Sequence, residues 1–193
     1  GCRRPTGANL QRPDLPGRPA GGHPVNRDLE VFAAFGERSR DAPRPLAQFE
    51  LGLRYSEGEG VKKNAKEAAK WMLRAAQSGL PPAQYRMGVL YERGLGVPRD
   101  MGQSKVWYER AANAGNRKAM HNLAVIFTDG STGSPDYKQA SRWFLAAADL
   151  GLKDSQFNIA ILYERGLGVE VNLVEAYKWY MAAGTQGDAD ATA

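Results

Sequence analysis

One pattern returns every 36 residues in this chain and leaves its fold little freedom. Its clearest copy runs Ala83-Gln-Tyr-Arg-Met-Gly-Val-Leu-Tyr91, then Gly94-Leu-Gly-Val97, then Trp107 and Ala111-Ala112, and closes at Gly115. The opening segment recurs as Ala47–Tyr55, Ala119–Phe127 and Ser155–Tyr163. The four tryptophans are Trp71, Trp107, Trp143 and Trp179, and turn glycines fall at Gly58, Gly94, Gly130 and Gly166. Closing glycines fall at Gly79, Gly115, Gly151 and Gly187. Several residue types locked to one period without a gap mark a stack of units, each burying its apolar face only against its neighbours.

Inside a unit the apolar spacing is helical. Leu51 and Tyr55 stand one turn apart with Gly52 between them, and Ala68, Trp71 and Ala75 share one face. Asn64, Asp100, Asp136 and Asn172 stand where a second helix would begin. A short side-chain oxygen there accepts orphan backbone N–H groups. Gly52 and Gly88, replaced by Ala124 and Ala160 in the later units, let the second helix approach closely. The tryptophan is expected to fill the room so made, as a core residue. Each unit is thus helix, turn, helix, over 46–81, 82–117, 118–153 and 154–189.

The motif A-Q-Y-x-x-G-x-L-Y, G-x-G-V, A-x-x-W, A-A and a final G resembles the Sel1-like repeats, relatives of the tetratricopeptide repeat. The likeness covers about residues 46–187. It implies an all-α fold, a right-handed α-solenoid of four helix-turn-helix repeats. Repeat 3 departs from it, because Asp129-Gly-Ser-Thr-Gly-Ser-Pro135 replaces the G-x-G-V turn. That stretch is either a neutral surface loop or a binding feature.

The two ends differ from the repeats. Residues 1–26 are rich in Pro, Gly and Arg and offer little apolar area, which predicts a disordered linker. Residues 27–42 carry Leu29, Phe32, Ala33 and Phe35 at helical spacing, and Phe35 lies one period before Trp71. They are expected to form a half-repeat that caps the first unit. Residues 190–193 fall where a fifth unit would begin. An uncapped end there predicts fraying or self-association.

Charge is uneven. Residues 1–27 hold five arginines against Asp14 alone, while 28–193 hold 21 basic and 20 acidic residues. The basic balance therefore describes the tail. No aromatic is interleaved with its arginines, so nucleic acid is not an expected partner. No apolar run is long enough to span a membrane, so membrane attachment is expected only through a segment outside this chain.

Nothing in the sequence assembles an active site. There is no nucleophile elbow, phosphate loop or HExxH pattern. The histidines are His23, in the tail, and His121, and the one cysteine is Cys2. No four-ligand metal set results, and no cofactor is implied. A non-catalytic chain is expected. By analogy with tetratricopeptide repeats, the slot of Phe49, Tyr85, His121 and Phe157 faces a concave groove. Arg86, Asn122 and Asn158 stand one step on. The rings either bind a peptide or glycan chain or merely pack between adjacent first helices, and the amides and guanidinium either donate to a ligand backbone or form only a solvated edge.

The last two repeats carry a finer likeness. Gly115–Val125, Pro135-Asp-Tyr137, Asp154–Asn158 and Gly166–Tyr180 resemble the C-terminal region of alphaproteobacterial polar localisation factors of the PodJ type. The resemblance implies a periplasmic region that follows a coiled coil and one transmembrane segment. It also implies a scaffold that recruits protein partners, or senses peptidoglycan, at the cell pole. A soluble adaptor that captures a peptide is the alternative the sequence leaves open.

Overall fold

The computed structural model describes residues 44–185. The expected linker at 1–26, the capping helix at 27–42 and the start of a fifth unit at 190–193 lie outside the described residues. Within them the chain forms eight α-helices and no strand. They are α1 (Arg44–Glu57), α2 (Ala65–Gln77), α3 (Pro81–Arg93), α4 (Met101–Asn113), α5 (Arg117–Asp129), α6 (Tyr137–Asp149), α7 (Lys153–Arg165) and α8 (Leu173–Thr185). Each helix packs mainly on the next in sequence, which is the arrangement of an all-α solenoid. Odd-numbered helices open the repeats and even-numbered helices close them.

The caps are local chemistry. Asn64 accepts from the backbone N–H of Lys66 and Glu67, Asp100 from Gln103, Asp136 from Gln139, and Asn172 from Val174 and Glu175. Three first helices end on Gly94, Gly130 and Gly166 at φ of 69°, 66° and 68°, a conformation that side chains resist. The sequence places the start of α1 at Leu46, after Pro45. The structure instead takes Pro45 into the first turn, where a missing N–H has no intrahelical partner to lose.

The core is a chain of clusters, one at each seam. Met72, Ala75, Ala76, Ala83, Met87 and Trp107 join repeats 1 and 2. Tyr108, Ala111, Ala112, Ala119, Leu123 and Ile126 join repeats 2 and 3. Ala124, Phe144, Ala148, Ile159, Leu162 and Trp179 join repeats 3 and 4. Trp71, Trp107 and Trp179 are buried, and each carries a cation over its ring, from Arg74, Arg110 and Lys178. Trp143 is only half-buried; Ala146 stands where the first two closing helices place Arg74 and Arg110.

One packing expectation is corrected. The tryptophan does not fill the room left by the small residue of the first helix; its successor does. A β-carbon on Gly52 would meet Met72 at 3.0 Å, and one on Gly88 would meet the Tyr108 ring at 2.4 Å. Phe144 and Tyr180 continue the same column one and two periods on. The tryptophan stands one residue, or about 100°, around the helix.

The second turn glycine has a separate task. A β-carbon on Gly96 would lie 2.0 Å from the Ala65 carbonyl oxygen, and one on Gly168 would lie 2.1 Å from that of Tyr137. Each turn is therefore pressed against the start of the closing helix one repeat earlier. Thr132 holds this slot in repeat 3. No residue other than glycine has positive φ among the described residues, so the backbone there takes another path. Asp129 accepts from the Ser131 N–H at 2.7 Å, and residues 131–136 are all exposed.

Candidate functional site

The columns that line the first helices acquire different chemistry at each seam. Between repeats 2 and 3 they form a closed network. Tyr108, fully buried, donates its hydroxyl proton to Glu92 Oε2 at 2.6 Å, and Asn122 Nδ2 donates to the same hydroxyl oxygen at 2.9 Å. Burial, then the hydrogen bond to Glu92, raises the Tyr108 phenol far above its ordinary range, so it stays a donor.

One period later the network is dismantled. Phe144 replaces the tyrosine and Thr128 replaces the glutamate, while the amide remains as Asn158. The Thr128 hydroxyl turns back to the Val125 carbonyl at 2.8 Å. Asn158 makes no hydrogen bond to another described residue. Where repeat 2 has its network, the seam between repeats 3 and 4 has a hollow of about 330 Å³ lined by Val125, Thr128, Phe144, Asn158, Ile161 and Leu162, among others. A second hollow of about 490 Å³ adjoins Asn158 and is lined by His121, Lys153, Asp154, Phe157, Tyr180 and Gly184. The free amide thus borders two partly apolar spaces.

The ring column is distributed unevenly. His121 and Phe157 line the larger hollow together, and Phe157 is 52% exposed. Tyr85 is half-buried and tilted against Tyr108, with centroids 5.9 Å apart. Phe49 packs on the cluster between repeats 1 and 2, and Arg86 is exposed away from both hollows. Asn122 is committed to Tyr108. Two of these rings also pack on the closing helix of their own repeat. His121 meets Phe144 edge-on at 5.5 Å, and Phe157 meets Tyr180 edge-on at 5.5 Å, both in the closing helix of the same repeat.

His121 has a polar partner that the sequence does not display. Its Nδ1 lies 2.8 Å from Oγ of Ser155, which is fully buried in the next repeat. Burial lowers the imidazole pKa, and the nearby Asp154 carboxylate opposes that shift. Lys153, Asp154, Thr128, Phe144 and Tyr180 are among the lining residues that sequence reasoning missed. The last two were legible in principle, since they occupy the column that follows each tryptophan.

An array of helical pairs with a cleft at one seam defines a helical-repeat interaction module. The Sel1 repeat model matches residues 45–80, 81–116, 117–152 and 153–188, and the chain belongs to the Sel1 repeat family. Proteins of this family are in general scaffolds for protein partners. The chain is similar to c5321 of uropathogenic Escherichia coli, a protective antigen displaying an SLR fold, at 36% identity and a TM-score of 0.75. That match covers 82% of this chain, which spans only 33% of the antigen. A Sel1 repeat protein from Oxalobacter formigenes is 30% identical with a TM-score of 0.72, covering 86% of this chain and 69% of its own. No curated protein sequence matches the chain. No helix of the described residues is long and apolar enough to cross a membrane.

Proposed function

We propose that the seam between repeats 3 and 4 holds an extended segment of a partner protein, and that the chain is a non-catalytic scaffold. The observation that carries this is Asn158. Its counterpart Asn122 is spent on Tyr108, whereas Phe144 offers Asn158 no hydroxyl, so the amide is left to pair with a ligand backbone. The hollows on either side receive two apolar side chains of the segment, with exposed Phe157 as one wall. An extended chain exposes backbone donors and acceptors, which an amide matches with both of its groups.

Placement at the bacterial pole, on the periplasmic side of the inner membrane, rests on the likeness of repeats 3 and 4 to polar localisation factors. These two repeats also form the cleft. A photo-crosslinking residue at position 157, introduced in cells, tests the cleft. A discrete protein adduct is expected, and Phe144→Tyr, which captures Asn158 as Tyr108 captures Asn122, should abolish it. An adduct indifferent to Phe144→Tyr overturns the proposal. Recovery of the chain with isolated peptidoglycan sacculi, sensitive to the same substitution, would move the ligand from protein to wall.

A further inference from the structure

Ser155 and His121 are both exceptions in their columns, and they meet. The Ser155 slot is alanine in the other three repeats, at Ala47, Ala83 and Ala119. The His121 slot is otherwise a carbon ring, at Phe49, Tyr85 and Phe157. The two polar residues face each other across the seam between repeats 3 and 4, with Nδ1 2.8 Å from Oγ. They stand on α5 and α7, the two opening helices that bound the cleft.

Which of the two donates follows from what else Ser155 touches. It is fully buried, and its hydroxyl bonds no other described residue. Ser104 and Ser141, also buried, give their hydroxyl protons to the carbonyls of Gly88 and Lys138. Ser155 has no such carbonyl. If the imidazole donated, the serine proton would be buried without an acceptor, which costs more than an unused lone pair. The hydroxyl therefore donates to Nδ1. Burial lowers the imidazole pKa, so the neutral ring prevails at neutral pH, and its single N–H lies on Nε2. Nε2 bonds no described residue, and the ring that carries it lines the larger hollow beside Asn158.

We propose that Ser155 sets His121 as an N–H donor, and that Nε2 holds a backbone carbonyl of the bound segment beside the peptide group held by Asn158. This rests on the reading of the cleft as the seat of a partner segment. Asn158 can donate and accept, whereas His121 so set can only donate. The segment is therefore gripped at two points of its backbone, while its apolar side chains fill the hollows. Ser155 touches no ligand and is a positioning residue: it acts through the imidazole.

The test uses nitrogen NMR of the full isotope-labelled chain, with the His121 ring signals assigned by their loss in His121→Phe. Without any ligand, the His121 proton should sit on Nε2, and Ser155→Ala should let the Nδ1–H tautomer appear. Alanine and phenylalanine hold these two slots in other repeats, so both variants should keep the circular dichroism of the chain. The probe is N-acetyl-leucine N-methylamide, one apolar side chain between two peptide groups. It should shift the His121 Nε2 and Asn158 amide signals saturably. His121→Phe, followed at Asn158, should weaken binding about threefold to tenfold, as expected for one hydrogen bond. Ser155→Ala should weaken it by a smaller factor, and by nothing further when added to His121→Phe. A proton on Nδ1 in the free chain, absence of probe binding, binding indifferent to His121→Phe, or a Ser155→Ala loss that persists without the imidazole overturns the proposal. None of these outcomes touches the crosslink at position 157 or its dependence on Phe144→Tyr. Failure of that crosslink, with the tautomer and probe results intact, would overturn the partner segment alone.

Discussion

Gly88 lies directly beneath the ring of Tyr108, so close that a β-carbon on it would stand 2.4 Å from two ring carbons. The ring has no room to retreat, because Glu92 and Asn122 hold its hydroxyl and Tyr108 is fully buried. The same slot in repeat 1 is softer. Gly52 faces the flexible end of Met72 at 3.0 to 3.1 Å.

Gly88→Ala should therefore destabilise the chain by about 1–3 kcal/mol through overpacking, despite the helix propensity gained. Gly52→Ala should cost less, or stabilise slightly, as the thioether swings aside. Urea unfolding of both variants decides it. A Gly52→Ala loss equal to or above that of Gly88→Ala contradicts the packing described here.

The second turn glycine gives a sharper contrast. Gly96→Ala forces a β-carbon into the Ala65 carbonyl as well as straining a left-handed backbone, so a loss of about 3 kcal/mol or more is expected. Gly79 also has positive φ but nothing within 4 Å of its missing side chain. Gly79→Ala should cost only the conformational strain, about 1–2 kcal/mol. Thermal melts of the pair would separate strain from collision.

Removal of one hydroxyl should matter at one seam and hardly at the other. Tyr108→Phe leaves a half-buried amide and a half-buried carboxylate short of a partner and should cost about 1–3 kcal/mol. Tyr180→Phe removes an exposed bond of equal length and should cost roughly 0.5 kcal/mol or less. Equal effects in denaturant titrations would refute the role assigned to burial.

Acid should weaken the fold partly through His121. Burial places its folded pKa below the 6.5 of a free imidazole, so the unfolded chain gains a proton first as pH falls. The contribution is complete above about pH 6.5 and is lost as pH drops through that value towards the folded pKa. The stability difference between wild type and His121→Gln, followed from about pH 8 to about pH 5, should shrink on acidification. A difference constant with pH would show that His121 is not responsible.

The helices, their caps and their stacking order were legible because each depends on residues within a turn or two. Asn64, Asp100, Asp136 and Asn172 cap the helices they precede, and the 36-residue period orders the units. The cleft was legible only in part. His121, Phe157 and Asn158 were singled out as members of columns, without the features that make them differ from their counterparts. Whether Asn158 is free depends on Phe144 in the neighbouring repeat, and the Ser155 partner of His121 lies 34 residues away. Such relations are set by how one repeat leans on the next, which local spacing does not encode. Reading the columns across repeats, as tyrosine, phenylalanine, tyrosine at 108, 144 and 180, would have exposed the odd seam.

Thr132 has a consequence for how this chain can lengthen. At Gly96 and Gly168 the turn is wedged under a neighbouring backbone, and extra residues there would prise two repeats apart. The turn around Thr132 follows another path, and every residue from 131 to 136 is open to water. It is the point at which a tag, a reporter domain or an inherited insertion can be spliced in without disturbing the stack.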